Sequence, residues 1–478
     1  MSQRFALLLF MVPLLVASLA CRAAASLFNP PESPAVTETA AIELVPSLAP
    51  ETPAPPDPSP SPTPDPSPTP VPPSPTAVQV PTWTSVAPTE NPETESVSLQ
   101  LRIFQELWEI VDQEYMYEDF NGVDWDAVYG EFRARVEAGL TQDEFYLAMS
   151  EMIDTLGDEH SSFLSPADVA EAEAELAGDN NYVGIGVVTI LIPERNRAAV
   201  IAVFPGSPAE QAGIQVHDSL LAVDGRAVVD EAGDHREIMR GPEGTTIQVT
   251  VQSPGEEPRQ VSITRRVVQG AMPVPYQVFE TPDGRRIGYI LLITFFDETI
   301  DNQVAAALEE MSASTPLDGV ILDNRYNGGG ISNVVLDTLR YFVDGLTGHF
   351  ISRQEQRPFV VQGLDIAGSH QVPLVVLVGP GTASFGEIFS GILKDFDRAH
   401  LIGDVTDGNV EILYGYDFED GSRAWIAHDY FQPLNNPEED WELTGIIPHQ
   451  EIPTAWDQYT METDPAVRAA LDYFGQGQ

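Results

Sequence analysis

The spacing of apolar residues changes along the chain, and each spacing predicts a different kind of element. Between residues 99 and 156, apolar residues recur three and four apart in three segments, which is typical of amphipathic helices. Thr141 and Glu144 are placed to form a capping box at the start of the third helix. In the C-terminal half, buried-type runs such as Gly319–Asp323 and Leu374–Val378 alternate with helical spacing. Strands that alternate with helices predict an α/β core.

Ser384 lies at the junction between a glycine-containing turn and a predicted amphipathic helix, residues 385–396. There a serine hydroxyl can project from a rigid scaffold, beside backbone N–H groups that have no partner within the helix. This placement suits a nucleophile next to an oxyanion hole. A second interpretation is a capping box, in which Ser384 only caps the helix and Glu387 returns a hydrogen bond. The pattern alone leaves both open.

The N-terminal part of the chain has the composition of a leader and a linker. Residues 1–21 contain an apolar stretch of about fifteen residues, which predicts a secretory signal because a spanning helix needs about twenty. Cys21, the only cysteine, has a position similar to a bacterial lipoprotein processing site. We expect a lipid anchor there and an extracytoplasmic location in the cell envelope; a plain cleaved signal and an uncleaved anchor are the alternatives. Residues 22–96, rich in Pro, Ser and Thr, predict an extended linker.

The charge balance excludes several classes of partner. Asp and Glu number 73 against 23 Lys and Arg, which gives a formal net charge of −50. Like charges repel, so nucleic acid and anionic membrane surfaces are not expected partners, and the membrane would be reached only through the lipid anchor or the signal segment. One cysteine and scattered histidines, without a His-Glu-x-x-His helix, predict neither a metal site nor a cofactor.

Two motifs in the middle of the chain resemble those of PDZ domains. The first is the loop of Gly184, Ile185 and Gly186 before a predicted strand, and the second is Ser-Pro-Ala-Glu-Gln-Ala-Gly at residues 207–213. The resemblance implies a PDZ domain over residues 173–268. In such a domain the N–H groups of the glycine loop bind the terminal carboxylate of a peptide, while the neighbouring strand pairs with it. The implied partners are polypeptides with free C-terminal tails.

The segment Thr-Ala-Ser-Phe-Gly-Glu-Ile around Ser384 resembles the catalytic segment of the C-terminal processing (tail-specific) serine peptidases. The resemblance implies a multidomain α+β chain with Ser384 as the nucleophile. A helical region (97–172) and the PDZ domain would precede an α/β peptidase core of the ClpP/crotonase-like type (269–478). The N–H groups of Gly329, in a triple-glycine turn, and of Phe385 would form the oxyanion hole.

The chain departs from this family at the general base. The family's lysine lies in a Thr-Phe-Gly-Lys-Gly turn, and Asn409 occupies the corresponding position. The only lysine, Lys394, is ten residues after Ser384 on the same helix, about 15 Å along its axis, so a Ser–Lys pair is excluded. The tricorn-like branch of the same peptidase clan has no catalytic lysine. Similarity to that branch implies that His160 is the base and that Glu442 supports it, with activity rising around a pH of about 6.5.

Together these features predict a secreted or membrane-tethered serine endopeptidase that binds C-terminal tails. Because the amide of Asn409 cannot accept a proton from serine, an inactive homologue that captures peptides without cutting them is the alternative. A third possibility is a wall-associated structural protein, in which the α/β core serves only for assembly.

Overall fold

The computed structural model describes residues 92–158, 160–176, 182–268 and 272–475. The predicted signal segment with Cys21 lies outside the described residues, as do Glu159 and most of the predicted linker. Within the described ranges, none of the helices combines the length and the apolar character that a membrane crossing needs. The described residues from Glu95 onward belong to one compact unit.

A helical region comes first, as the apolar spacing predicts. Its helices are α1 (Pro92–Glu114), α2 (Trp125–Glu137), α3 (Gln142–Asp154) and α4 (Pro166–Leu176), with the short strand β1 (Ser162–Leu164) before α4. The first helix begins before the expected boundary at residue 97. The capping box is confirmed: the Glu144 N–H donates to Thr141 Oγ1, and the Glu144 carboxylate accepts from the Thr141 N–H.

This helical region packs against the C-terminal part of the chain. Phe104 and other buried apolar residues of the helices share one cluster with Leu413 and Trp425. Strand β1 also pairs antiparallel with β18 (Arg423–Pro433), with Ser162 opposite Trp425. The turn before β1, which carries His160, is therefore attached to the C-terminal core.

The central domain is built from antiparallel strands. Its sheet has the order β3 (Val187–Ile192), β4 (Arg197–Val203), β5 (Ser219–Val223), β7 (Thr246–Gln252), β8 (Arg259–Thr264), with β6 (Arg226–Ala227) beside β5. Strands β2 (Tyr182–Gly184) and β9 (Arg266–Val268) form a separate pair, and α5 (Pro208–Gln211) follows β4. Trp456 of the C-terminal core stacks on His217 of this domain at 4.1 Å between ring centroids.

The C-terminal core is the predicted α/β unit. Its main sheet has the order β10 (Tyr276–Glu280), β11 (Arg286–Leu291), β12 (Gly319–Asp323), β15 (Leu374–Val378), β16 (His400–Gly403), β19 (Gln450–Glu451). All neighbours are parallel except the first two strands. Every residue of β12 and β15 is buried, as continuous apolar runs in parallel strands require.

Helices cover both faces of this sheet. One face carries α6 (Ile300–Ser312), α7 (Ser332–Leu339) and α8 (Phe385–Asp395), and the other carries α10 (Pro465–Gly475). A second sheet contains β1, β18, β13 (Gly345–Ile351), β14 (Gln356–Val361) and, beside β18, β17 (Ile412–Asp417). The short helix α9 (Trp441–Thr444) follows β18. The multidomain α+β organisation expected from the sequence is confirmed. Ser384 directly precedes α8, His160 lies just before β1, and Glu442 lies in α9.

Candidate active site

Ser384 lies at the N-terminal end of α8, directly before the helix, and its backbone is strained. Its φ of 52° and ψ of −127° fall in a region that residues other than glycine rarely adopt, and the residue is only 6% exposed. Such a conformation costs about 1–3 kcal/mol and persists only where the surroundings impose it. A Cβ atom added to Gly329 would lie 2.7 Å from Ser384 Cβ, so the glycine turn fits closely against the serine.

The capping-box interpretation of Ser384 and Glu387 is wrong. The Ser384 side chain accepts no capping hydrogen bond from the first turn of α8. The fully buried Glu387 carboxylate instead accepts hydrogen bonds from Thr406 Oγ1 and from the N–H groups of Gly408 and Asn409. Burial raises the pKa of Glu387 to about 7, although these hydrogen bonds oppose the rise. Glu387 therefore attaches the loop after β16 to the helix that follows Ser384.

This loop, residues 406–411, connects Ser384 to Glu442. The Ser384 N–H donates to the Asn409 carbonyl at 2.6 Å. The N–H groups of Val410 and Glu411 donate to Glu442 Oε2 at 2.6 and 3.1 Å. The main chain of Asn409 therefore connects two parts of the site, because its N–H donates to Glu387 and its carbonyl accepts from the Ser384 N–H.

His160 and Glu442, which are 282 residues apart, are brought together in the structure. His160 Nε2 lies 2.7 Å from Glu442 Oε1, and both side chains are largely buried. Asp158 fixes the turn, because its Oδ1 accepts from the N–H groups of His160 and Ser161 at 3.0 and 2.6 Å. The Ala427 N–H of β18 donates to Ser161 Oγ at 3.1 Å and so anchors the turn to the second sheet.

Helix α9 holds Glu442 from the other side. Asp440 caps this helix by accepting from the Leu443 N–H at 3.1 Å. Trp441 packs on α8 at Gly391, where an added Cβ atom would come within 2.5 Å of the indole ring. A glycine is needed at this position for α9 to approach α8, and this contact sets the distance of Glu442 from α8.

Glu411 is a member of the site that sequence reasoning missed. It is 5% exposed, and the Tyr117 hydroxyl donates to its Oε1. Burial raises the pKa of Glu411 to about 7; the charge of His160 opposes this rise, and that of Glu442 adds to it. The only signal in the sequence is an acidic residue that interrupts an apolar run, residues 410–413, and such interruptions are common.

The charges around His160 control its protonation. Burial by itself would lower the pKa of His160, but the hydrogen bond to Glu442 and the negative charges of Glu411, Glu442 and Asp158 outweigh it and raise the pKa to about 9. The histidine faces a cavity of about 370 Å³. The cavity is lined by residues of the helical region and of the loop after β16: Tyr117, Asn121, Gly157, Asp158, His160, Asp407, Gly408, Asn409, Glu411, Glu442.

The predicted oxyanion donors lie beside Ser384. A Cβ atom added to Gly329 would be 2.9 Å from the Phe385 nitrogen, so the two backbone groups are neighbours. The Phe385 N–H belongs to the first turn of α8, where amides have no partner within the helix. The Gly329 N–H donates to Asn327 Oδ1 at 3.0 Å, so it would have to share or exchange this bond to bind an oxyanion.

The predicted peptide-binding loop of the central domain is tightly held. The carbonyl of Ile185 accepts from the Ala209 N–H at 2.8 Å, and that of Gly186 accepts from the Phe204 N–H at 3.0 Å. Gly186 has a φ of +84°, and a Cβ atom there would lie 2.4 Å from Ser207 Cβ. The two predicted PDZ motifs therefore contact each other.

Comparisons with known proteins agree with this architecture. Residues 286–452 match the model of peptidase family S41, residues 101–154 that of the tricorn protease C1 domain, and residues 200–253 that of the PDZ domain. A carboxyl-terminal-processing protease of Synechocystis sp. is 31% identical over 81% of this chain and 89% of its own length. The chloroplastic carboxyl-terminal-processing peptidase 2 of Arabidopsis thaliana is 30% identical over 78% and 72%. The structure of a photosystem II D1 C-terminal processing protease has a TM-score of 0.54 at 27% identity and covers 74% of this chain and 93% of that one.

Proposed function

The chain belongs to the carboxyl-terminal-processing proteases of peptidase family S41 and is a serine-type peptidase with a PDZ domain, and from this premise we propose that Ser384, His160 and Glu442 form its catalytic machinery. The observation that carries the proposal is the 2.7 Å contact between His160 and Glu442. The loop that binds Glu442 also binds the main chain of Ser384.

In the proposed reaction, Ser384 Oγ attacks the carbonyl carbon of the scissile peptide bond, and His160 takes the hydroxyl proton. Because Nε2 of the ring faces Glu442, Nδ1 is the nitrogen assigned to Ser384. The proton then passes to the leaving amine, and an ester remains on Ser384. A water molecule next attacks the ester while His160 takes one of its protons. His160 then gives this proton to Ser384 Oγ as the ester bond breaks, which releases the acid and restores the serine.

Two backbone N–H groups would stabilise the negative oxygen in both steps. The Phe385 N–H is placed by the start of α8, where the helix dipole also favours negative charge. The Gly329 N–H would exchange its bond to Asn327 for one to the oxyanion, since hydrogen bonds of a resting site are often rearranged in the transition state. Glu442 orients the imidazole and stabilises its cation.

The proposed substrates are polypeptides bound by their C-terminal tails in the PDZ domain at Gly184, Ile185 and Gly186. We also propose that Cys21 carries a lipid and that the protein acts outside the cytoplasm, tethered to the envelope. The test is incubation of the full-length protein with an unfolded protein, with products identified by mass spectrometry. If there is no cleavage from about pH 5 to about pH 10 with varied tails, an inactive peptide-binding homologue is favoured.

The pH dependence is a sharp test of His160 as the base. The ring must be neutral to accept a proton, so kcat/KM is expected to rise with pH around a midpoint near 9, instead of the value of about 6.5 expected from the sequence. Glu442→Gln removes the negative charge and replaces the charged hydrogen bond, both of which raise the pKa, by a weaker neutral one, so the midpoint should move to lower pH while the maximal rate falls. Steady-state rates measured across this range give both midpoints.

The same pKa shift predicts a change in stability. The folded state binds the His160 proton more tightly than the unfolded state, so the pair stabilises the protein fully below a pH of about 6.5 and loses this contribution as the pH rises through about 9. Glu442→Gln should therefore lower the free energy of unfolding more at low pH than above this range. If Glu442→Gln left the midpoint of the pH profile of kcat/KM unchanged, the assignment of His160 as the base would be contradicted.

Asn409→Ala is expected to change kcat/KM by less than about threefold, well below the 10²- to 10⁴-fold that a catalytic acid or base contributes. The N–H of Asn409 binds Glu387 and its carbonyl binds Ser384, and alanine keeps both contacts. The measurement is kcat/KM for cleavage of the same unfolded substrate. A loss of a hundredfold or more, with an unchanged melting temperature, would mean that the Asn409 side chain takes part in the reaction and that His160 is not a sufficient base.

A further inference from the structure

His160, Glu411 and Glu442 come from three distant segments of the chain and converge on one point. One potential ligand atom from each of them, an imidazole nitrogen and two carboxylate oxygens, lies within 4.8 Å of the other two. These side chains also line the cavity described above. The sequence predicted no metal site, because none of the three ligands is near another along the chain.

The two carboxylates are held so that one oxygen of each is left for the centre. Glu442 Oε2 accepts from the N–H groups of Val410 and Glu411, and Glu411 Oε1 accepts from the Tyr117 hydroxyl. The second oxygen of Glu411, Oε2, is buried and has no hydrogen-bond partner among the described residues. A buried acceptor in this condition needs a partner, which a proton, a water molecule or a cation can supply, and the neighbouring imidazole and second carboxylate favour a cation.

We propose that His160, Glu411 and Glu442 bind one Zn²⁺ ion and that the bound ion inhibits the peptidase. Imidazole nitrogen and carboxylate oxygen are both zinc ligands, and a water molecule can supply the fourth ligand beside three from the protein. Calcium would need six to eight oxygen ligands, which this site does not offer. The Tyr117 hydroxyl donates to the carboxylate of Glu411, and the N–H groups of Val410 and Glu411 donate to that of Glu442. Hydrogen bonds of this kind orient the carboxylates that bind metal ions in proteins.

Only a small movement is needed for binding. Ligands that lie about 2.0–2.2 Å from a tetrahedral ion are about 3.3–3.6 Å apart, so His160 Nε2 and Glu442 Oε1 must separate from their present 2.7 Å by less than 1 Å. The three ligand atoms lie within 4.8 Å of one another, so the longer distances must shorten by no more than about 1.5 Å. The strongly negative net charge also favours the approach of a cation.

Inhibition follows from the ligands that the ion would use, and this part rests on the proposed function. The ion would replace the hydrogen bond between His160 and Glu442 and would place positive charge beside the imidazole. The ring could then no longer become a cation when Ser384 attacks, and Glu442 could no longer stabilise it. Zinc in excess is expected to lower kcat at least tenfold, and a chelator should restore it.

Binding is tested separately from catalysis in the Ser384→Ala variant of the full-length protein, which keeps all three ligands. After treatment with a chelator, calorimetric titration with ZnCl₂ in a non-coordinating buffer should give one site per chain. Adding His160→Ala, Glu411→Gln or Glu442→Gln should weaken the affinity at least tenfold. His235→Ala is the matched control and should leave the affinity unchanged. His235 lies 3.2 Å from Glu237, and no third potential ligand joins this pair within the described part of the chain.

Circular dichroism checks that each variant is folded, and Tyr117→Phe provides a variant that keeps every ligand. It should weaken zinc binding less than Glu411→Gln does, since only a supporting hydrogen bond is lost. The site is overturned if Ser384→Ala binds no zinc, or if Glu411→Gln binds it as tightly as its parent. Binding of zinc without any effect on cleavage by the wild type would overturn the inhibitory role. Because the titration needs no activity, an inactive wild type would count against the proposed function alone.

Discussion

Ser384→Ala and His160→Ala are each expected to lower kcat for cleavage of an unfolded protein by about 10⁴- to 10⁶-fold, which are the largest effects that we predict on activity. In the proposed mechanism, alanine at position 384 removes the attacking oxygen, and alanine at position 160 removes the group that takes its proton. Because the two side chains act in one step, the double variant should be no slower than the single ones. Rates of product formation, measured with enzyme in excess over substrate, give these comparisons.

The matched control for this experiment is His400→Ala. His400 is the first residue of β16, where it stacks on His449 and Tyr473, and it does not line the cavity that contains His160. Its replacement should leave kcat within about twofold of wild type, as is usual for positions outside a reacting site. A folded His160→Ala variant that retained a tenth or more of the activity would show that another group accepts the proton from Ser384.

The apolar pattern was sufficient to predict the framework of the core. β12 and β15 are continuous apolar runs because both of their faces are covered by other parts of the protein. A run of this kind therefore predicts a strand in the middle of the core. The edges of the helical region were less predictable. Its helices complete their core with Leu413 and Trp425, which are about 300 residues further along the chain, so no local spacing could reveal where the unit ends.

The candidate site could be predicted only in part. Ser384 could be predicted from its position between a turn and a helix. His160 and Glu442 could be predicted only from the resemblance to a family, because residue spacing does not reveal a contact between the distant segments at β1 and α9. The capping box predicted for Ser384 and Glu387 was wrong, because a local motif cannot show that a residue from another loop will bind the glutamate. Glu387 binds the residues at 406–409 instead. Glu411 was missed for the same reason, because its burial depends on Tyr117 of the helical region.

Arg325→Leu is expected to lower the free energy of unfolding by about 3–5 kcal/mol, the range found when one partner of a buried ion pair is removed. The Arg325 guanidinium is 2% exposed and lies 2.6 Å from Asp323 Oδ2 and 2.7 Å from Asp464 Oδ2. Leucine would leave two carboxylates buried without their cation. The Tyr289 hydroxyl would still donate to Asp323, and the Ala466 N–H to Asp464, but neither carries a charge. Urea unfolding at neutral pH, followed by circular dichroism, measures the change.

The control for this substitution is Arg340→Leu. Arg340 also contacts two carboxylates, Asp337 at 3.0 Å and Asp301 at 3.7 Å, but its side chain is 30% exposed. Water screens such pairs, so the expected loss is no more than about 1 kcal/mol. If both variants lost the same small amount, the buried ion pairs of Arg325 would contribute no more to stability than the partly exposed ones of Arg340.

Arg325 also connects the stability of the core to the active site. It begins the turn that leads to Gly329, and its guanidinium lies 5.0 Å from the ring of Trp456. Tyr326 contacts the same ring at 5.2 Å, and His217 of the PDZ domain stacks on it at 4.1 Å. Loss of Arg325 should therefore shift the turn that carries the proposed oxyanion donor Gly329 and loosen the PDZ contact, so that kcat falls even at temperatures where the variant is fully folded. A variant that lost stability but kept the wild-type kcat would show that the turn is held by its glycines and Asn327 alone.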